Sequence, residues 1–347
     1  MDRVARFAAV NTKIKALERD FLSAEQYAEM LRQRSIPELA IYLKEKTSYG
    51  KYLSDINPET MNRTALERAL KRNMVKNLDK LLYFFSGQYR DFLRVLFFKY
   101  EISDLKNLAR DIYNGSSNSI EEDLYFFIGK YSKASLSKLQ KATNLRDFIH
   151  ALEGSEFFEY VKPLLEGKRE NLFRLEMALD ASYFSIIKKS SEKLDKRDRS
   201  IIEKWEGMVS DLYNLQWIYR GKKFYMLTPE ELLNYTIDMG DRLNFARRRE
   251  LCYSKNLEEL KSKAAEYGYG FLFKKDQTSD IYMERRINRF LFYKLGALVR
   301  QYPMSIIQSV AYAWFLDFEV RDIFSIAECI RYNLSPEEAG KFLIKGA

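Results

Sequence analysis

Apolar residues recur along this chain at steps of three and four over most of its length. Phe7, Val10, Ile14, Leu17 and Phe21 draw one stripe near the start, and Leu316, Val320, Ile323, Ala327, Ile330 and Leu334 draw another near the end. Trp205, Met208, Leu212, Leu215 and Tyr219 repeat the pattern between them. Period-2 alternation is rare and short. The spacing predicts an all-α chain. Its 24 Phe, 24 Tyr and 3 Trp would favour strands elsewhere, but here most rings fall on helical stripes.

Short patterns then recur in a fixed order. Asp104-Leu105-Lys106-Asn107-Leu108 returns as Asp211-Leu212-Tyr213-Asn214-Leu215 and as Asp322-Ile323-Phe324-Ser325-Ile326, at spacings of 107 and 111 residues. Lys13-Ile14-Lys15-Ala16-Leu17 is a weaker member. Tyr100-Glu101-Ile102 precedes the first of the close copies and Phe318-Glu319-Val320 the last. A helix start follows each: Ser23 to Gln26, Ser119 to Glu122, Thr228 to Glu231 and Ser335 to Glu338. There a hydroxyl accepts from a free backbone N–H, Pro229 and Pro336 suit the first helical position, and Glu231 and Glu338 fall where a capping box needs them. A third pattern comes as Ile36-Pro37-Glu38-Leu39, Leu145-Arg146-Asp147-Phe148 and Leu257-Glu258-Glu259-Leu260, each trailed by a small or aromatic cluster such as Tyr267-Gly268-Tyr269. The period predicts three similar helical lobes, residues 1–95, 96–205 and 206–318. Residues 319–347 are a partial copy that matches the head of the first lobe and would complete it in a closed arrangement. Lys188 to Ser200 reads as a solvated helix or a connector, and Asn114 to Ser119 as a loop inside the second lobe.

Composition narrows the function classes. Of 347 residues 46% are hydrophobic and 31% charged, with 14 Gly and 6 Pro, which excludes disordered and collagen-like chains. Cys252 and Cys329 are too few for a disulfide scaffold or a four-Cys zinc site and fit a reducing cytoplasm. The single His150 excludes any site needing two histidines; its setting among Phe148, Ile149 and Leu152 suggests a core or groove position. No phosphate loop, GxGxxG, HExxH or GxSxG occurs. The paired carboxylates Glu230-Glu231 and Glu337-Glu338 are explained by capping. No catalytic residue, cofactor or metal ligand is therefore expected.

Charge adds little. Lys plus Arg is 58 against 49 acids, a net +9, less than a nucleic-acid binder usually concentrates in one stripe. The densest basic spots are Arg247, Arg248 and Arg249, and Arg285, Arg286 and Arg289. Each is either a solvated helix face or a docking patch for an acidic partner. Residues 1–22 are amphipathic rather than leader-like. The longest uncharged run, Gln301 to Leu316, contains Gln, Ser and Pro and is shorter than the roughly 20 apolar residues of a membrane span.

Both ends of the chain resemble one family. Ala9-Val10-Asn11-Thr12-Lys13-Ile14-Lys15-Ala16-Leu17-Glu18 is similar to the opening of the C-type subunit of the prokaryotic V-type (A-type or V/A-type) rotary ATPases and ATP synthases. Val310 to Ile323 resembles that family's closing signature, a tyrosine-rich apolar helix running into Glu, a hydrophobe, Arg and Asn, then a helix that begins Leu-Ser-Pro-Glu-Glu. Asp322 stands where the Asn is usual. The eukaryotic equivalent is the d-type subunit of the V-ATPase. The resemblance implies a funnel of three similar helical lobes in pseudo-threefold array around a central cavity, without a catalytic site. It implies a place on the cytoplasmic face of the membrane, peripheral, on the proteolipid rotor ring, with the D and F shaft proteins plugged into the cavity. Torque would pass through this adaptor. Glu319, Arg321 and Asp322 form the most family-like charged cluster: a helix-end salt bridge or cap on one reading, the lining of the cavity on the other. Arg247, Arg248 and Arg249 are the second candidate contact. A helical-repeat scaffold unrelated to rotary ATPases is the alternative, although solenoid repeats have a shorter period, of roughly 34 to 47 residues.

Overall fold

A computed structural model describes residues 3–54, 57–115, 124–167, 171–273 and 279–345. Helices and turns make up the described residues and no strand occurs among them, as the spacing predicts. The chain divides into two compact units, Met1–Phe85 with Lys274–Ala347, and Ser86–Phe273. The first begins with α1 (Arg3–Glu18), α2 (Ala24–Met30), α3 (Ile36–Lys46), α4 (Gly50–Leu53) and α5 (Arg63–Leu82). The second holds α6 (Gly87–Leu96), α7 (Phe98–Tyr113), α8 (Leu136–Leu139), α9 (Leu145–Ala151), α10 (Phe158–Val161), α11 (Leu172–Ser191), α12 (Lys196–Phe224), α13 (Pro229–Asn234), α14 (Phe245–Cys252) and α15 (Leu257–Glu266). The chain then returns to the first with α16 (Ser279–Gln301), α17 (Ile307–Arg331) and α18 (Pro336–Gly340). The lobe limits expected at 95/96, 205/206 and 318/319 fall inside α6, α12 and α17.

In the first unit α17 is the hub, packed on α1, α3, α5, α16 and α18. The α1 stripe supplies Phe7, Val10, Ile14 and Leu17 to the core, all buried; each such side chain contributes about 2 kcal/mol by leaving water. The stripe read near the end lies on α17 except at Leu334. The helix stops at Arg331 because Asn333 turns left-handed (φ +52°), and the Leu334 and Asn333 N–H groups close back onto the Cys329 and Ile330 carbonyls at 3.0 and 3.1 Å. Left-handed residues follow α7 and α12 in the same way, Gly115 after α7 and Met226 after α12.

In the second unit α11 packs on α6, α7 and α12, and α12 on α13, α14 and α15. Trp205, Met208, Leu212, Leu215 and Tyr219 are all buried, as their stripe predicts. Residues 188–200 form a helix–turn–helix corner: α11 ends, the chain turns, and the Asp195 side chain caps α12 by accepting from the Asp198 N–H at 2.9 Å. His150 is not a core residue. The buried positions of α9 are Leu145, Phe148 and Ile149, so the next residue faces outward, and His150 Nδ1 lies 3.1 Å from Glu153.

The caps follow the sequence. Ser23 with Gln26, Thr228 with Glu231 and Ser335 with Glu338 form complete capping boxes. The start expected at Ser119 to Glu122 lies outside the described residues, as does most of the Asn114 to Ser119 loop. The third pattern begins at a cap in all three copies: Ser35, Asn144 and Asn256 each accept from the N–H three residues on. Asn256→Ala is expected to cost about 1 kcal/mol, and Asn256→Ser much less. An unchanged urea midpoint for the alanine variant would show that this cap does not hold α15.

Candidate functional site: paired acceptors on three long helices

The recurring aspartate pattern becomes a recurring joint. Each of α7, α12 and α17 carries two acceptor side chains three residues apart, on one face and buried: Glu101 and Asp104, Asp211 and Asn214, Glu319 and Asp322. Carboxylates survive burial only when hydrogen-bonded, and these take N–H groups from the loops folded over their helix.

On α7, Glu101 Oε1 accepts from the Gly129 N–H at 2.6 Å and the Ser132 hydroxyl at 2.5 Å, while Asp104 accepts from the Phe127 N–H at 3.0 Å. On α12, Asp211 accepts from the Arg242 N–H (2.7 Å), the Leu243 N–H (3.2 Å) and the Tyr269 hydroxyl (2.7 Å). Asn214 pairs in both directions with Ile237, its amide donating to the carbonyl at 3.0 Å and its oxygen accepting the N–H at 2.8 Å. On α17, Glu319 accepts from the Leu22 N–H (2.8 Å), the Tyr49 hydroxyl (3.0 Å) and the Lys345 ammonium (2.9 Å). Asp322 accepts from the Ile344 and Lys345 N–H groups at 2.6 and 3.1 Å.

These bonds fix the register of the repeat. The downstream donors lie 23, 23 and 22 residues beyond Asp104, Asn214 and Asp322. Those three are therefore equivalent, and so are Glu101, Asp211 and Glu319. The middle copy is shifted by three residues from the Asp-Leu-x-Asn-Leu match. Asn214, not Asp211, is the counterpart of Asp322. The aromatic clusters that trail the third pattern also find their purpose. Tyr49 and Tyr269 both reach the first acceptor of their joint; Phe157 stands at the corresponding place in the α7 copy, where Ser132 supplies the hydroxyl. Gly240 lets the loop over Asp211 pass close, since a Cβ there would lie 2.3 Å from the Leu243 carbonyl oxygen.

Burial dominates the electrostatics. It pushes Glu101 up to about 7 against the opposing Ser132 and Gly129 bonds, and Asp322 up to about 6 against the Ile344 and Lys345 N–H groups. Burial also raises Asp211, and it raises the Tyr49 and Tyr269 hydroxyls with help from the carboxylates they face.

The six candidate contact residues divide in two. Glu319, Asp322 and Arg248 are interior, 1%, 0% and 2% exposed, and spend their charge on the chain itself. Arg248 donates to the Leu243 carbonyl at 3.1 Å and to Asp238 at 2.5 Å, bracing the loop that Asp211 holds. Glu319 and Asp322 are buried within an internal joint, where Glu319 forms an ion pair with Lys345 at 2.9 Å. Arg321 lies on the outer side of α17, bridging Asp317 at 3.2 Å and Glu284 at 3.0 Å. Arg247 and Arg249 are exposed on α14 and lie over the Tyr267 and Tyr253 rings at 4.9 and 5.5 Å. Arg321 and the α14 arginines belong to different units. Tyr49, Glu101, Asn214, Tyr269 and Lys345 were not among the candidates, although an acid followed three residues later by Asp or Asn is visible in all three copies. Among the described residues no group of three or more His, Cys, Asp or Glu is placed to hold a metal ion, and no helix is long and apolar enough to cross a membrane.

Known proteins resemble this chain over most of its length. A family model described as "ATP synthase (C/AC39) subunit" matches residues 10–342. The C-type subunit of the A-type ATP synthase of Methanocaldococcus jannaschii is 25% identical over an alignment covering 98% of this chain and 87% of the relative. Its namesake from Methanosarcina mazei is 25% identical, covering 89% and 84%. The Pyrococcus horikoshii protein of that name is 22% identical, covering 94% and 87%. The chain belongs to the ATP synthase (C/AC39) subunit family and so is a subunit of a rotary ATPase.

Proposed function

We propose that this chain is the non-catalytic central-stalk adaptor of its rotary ATPase. It sits on the proteolipid rotor ring at the cytoplasmic face of the membrane, receives the D and F shaft proteins, and passes torque between ATP turnover and ion transport. The family match over residues 10–342 carries the reading. The threefold recurrence of the acceptor joint supports three similar lobes around a cavity, residues 1–95 completed by 319–347, 96–205 and 206–318. Half-buried Arg321 and exposed Arg247 and Arg249 are the proposed contacts with partner subunits. Glu319, Asp322 and Arg248 hold those surfaces in place. Arginine braced by carboxylates or rings loses little freedom on docking, which favours it at interfaces.

The test is a pull-down of the tagged chain from membranes of its own source. Proteolipid and shaft proteins are expected in near-stoichiometric amount. Arg321→Glu, or Arg247→Glu with Arg249→Glu, is expected to lower recovery of one of them about tenfold, the loss of roughly 1.4 kcal/mol of contact. Recovery of neither from membranes that hold an intact rotary ATPase would overturn the adaptor reading.

A further inference from the structure

The joint on α17 differs from the other two in what it gathers. Around α7 and α12 the donors named above lie 23 to 32 residues downstream on one continuous stretch, apart from Tyr269, which reaches Asp211 from 58 residues on. On α17 only the Asp322 donors and the Lys345 ammonium come from downstream. The Glu319 donors Leu22 and Tyr49 lie 297 and 270 residues away in sequence. Residues 342–345 run between the two sets, and each is held by a contact of its own. Phe342 stacks on Tyr282 of α16 at 5.3 Å. The Leu343 carbonyl accepts from Arg285 Nε at 3.3 Å. The Ile344 N–H is seated on Asp322. Lys345 seats its N–H on Asp322 and its ammonium on Glu319. That ammonium also lies 4.9 Å from the Phe21 ring and 5.6 Å from the Tyr27 ring, at the corner between α1 and α2.

We propose that residues 342–345 are a strap whose last side chain, Lys345, latches the α1–α2 corner onto α17, so that the corner opens when the ammonium leaves Glu319 while the strap stays on Asp322. Three features give this direction. Glu319 is 1% exposed, so losing its countercharge removes much of the reason for its ordered position. The two rings of the corner touch the same ammonium and lose an attraction with it. The backbone bonds to Asp322 do not involve the ammonium and survive its removal. The N–H and hydroxyl donors named at the α7 and α12 joints cannot be released this way.

Hydrogen exchange on the full chain tests the latch. In Lys345→Met, which keeps the stem and removes the charge, peptides covering residues 20–31 are expected to exchange at least tenfold faster. Peptides over 124–132 and 236–247, which hold the matched donors of the other joints, are expected to be unchanged, and Lys345→Arg to restore the slow rate. No acceleration at 20–31 would overturn the latch. Equal acceleration of all three regions would also overturn it, by showing that Lys345 acts on the whole fold. Should Lys345→Met not fold, the wild-type chain is compared at low and high salt: the 20–31 region accelerates ahead of the other two, or the latch is wrong.

Discussion

Asp211→Ala is expected to lower the stability of the second unit by about 4 kcal/mol, among the largest losses any single substitution would cause. The aspartate is fully buried and serves three donors: the Arg242 and Leu243 N–H groups and the Tyr269 hydroxyl. Alanine removes the acceptor that all three share, and the burial that excludes the side chain from water keeps water from replacing it. Each stranded donor costs about 1–3 kcal/mol, and local rearrangement recovers part of it. Asp211→Asn keeps one acceptor oxygen and is expected to cost about half as much. Trp205 and Trp217 both lie in this unit and are buried, so tryptophan fluorescence during urea unfolding reads the change. A loss below about 1 kcal/mol would mean the loop over Asp211 is held by its apolar contacts instead.

The second large effect is on pH dependence. Glu101 is buried, and its Oε2 accepts no hydrogen bond among the described residues. Burial raises it from 4.5 to about 7, with the Glu156 charge adding to the rise. A carboxyl raised by folding binds its proton more tightly in the native chain than in the unfolded one. Its stabilising contribution is complete below pH 4.5 and is lost as pH climbs through 7. The difference corresponds to about 3 kcal/mol between about pH 5 and pH 8. Glu101→Gln keeps an oxygen for Gly129 and Ser132 and carries no proton to lose. It is expected to remove most of this slope and to be the more stable form at about pH 8. Parallel slopes for wild type and variant over that range would rule out Glu101 as the titrating group. Glu206 is also raised to about 7 by burial, but the Lys99 charge opposes that rise, so its neutral substitution is the less clean experiment.

Much of this was readable in the chain. The 3.6 period, the capping Ser, Thr and Asn residues, and the order of the three patterns all have local causes, and local causes are written in adjacent residues. The register of the middle copy was harder. Leu212 follows Asp211 as Leu105 follows Asp104, so the apolar pattern favours matching the two aspartates. Only the donors 23 residues downstream show that Asp104 corresponds to Asn214. His150 was misplaced for a related reason: three apolar neighbours in sequence do not share its side of α9. Lys345 could not have been found from spacing, because Glu319 meets it across a turn and a short helix, and its ring neighbours Phe21 and Tyr27 lie at the other end of the sequence.

One helix has a mechanical meaning. At 29 residues, α12 is about 43 Å long. It is gripped on nearly every side, by apolar contacts from Ile201 to Ile218 and by the bonds to Asp211 and Asn214. A rod held along its length cannot rotate, slide or bend without breaking many contacts at once. Force applied at one end of such a rod is shared by that packing along its whole length. Stiffness of this kind comes from lateral support rather than from the helix's own hydrogen bonds.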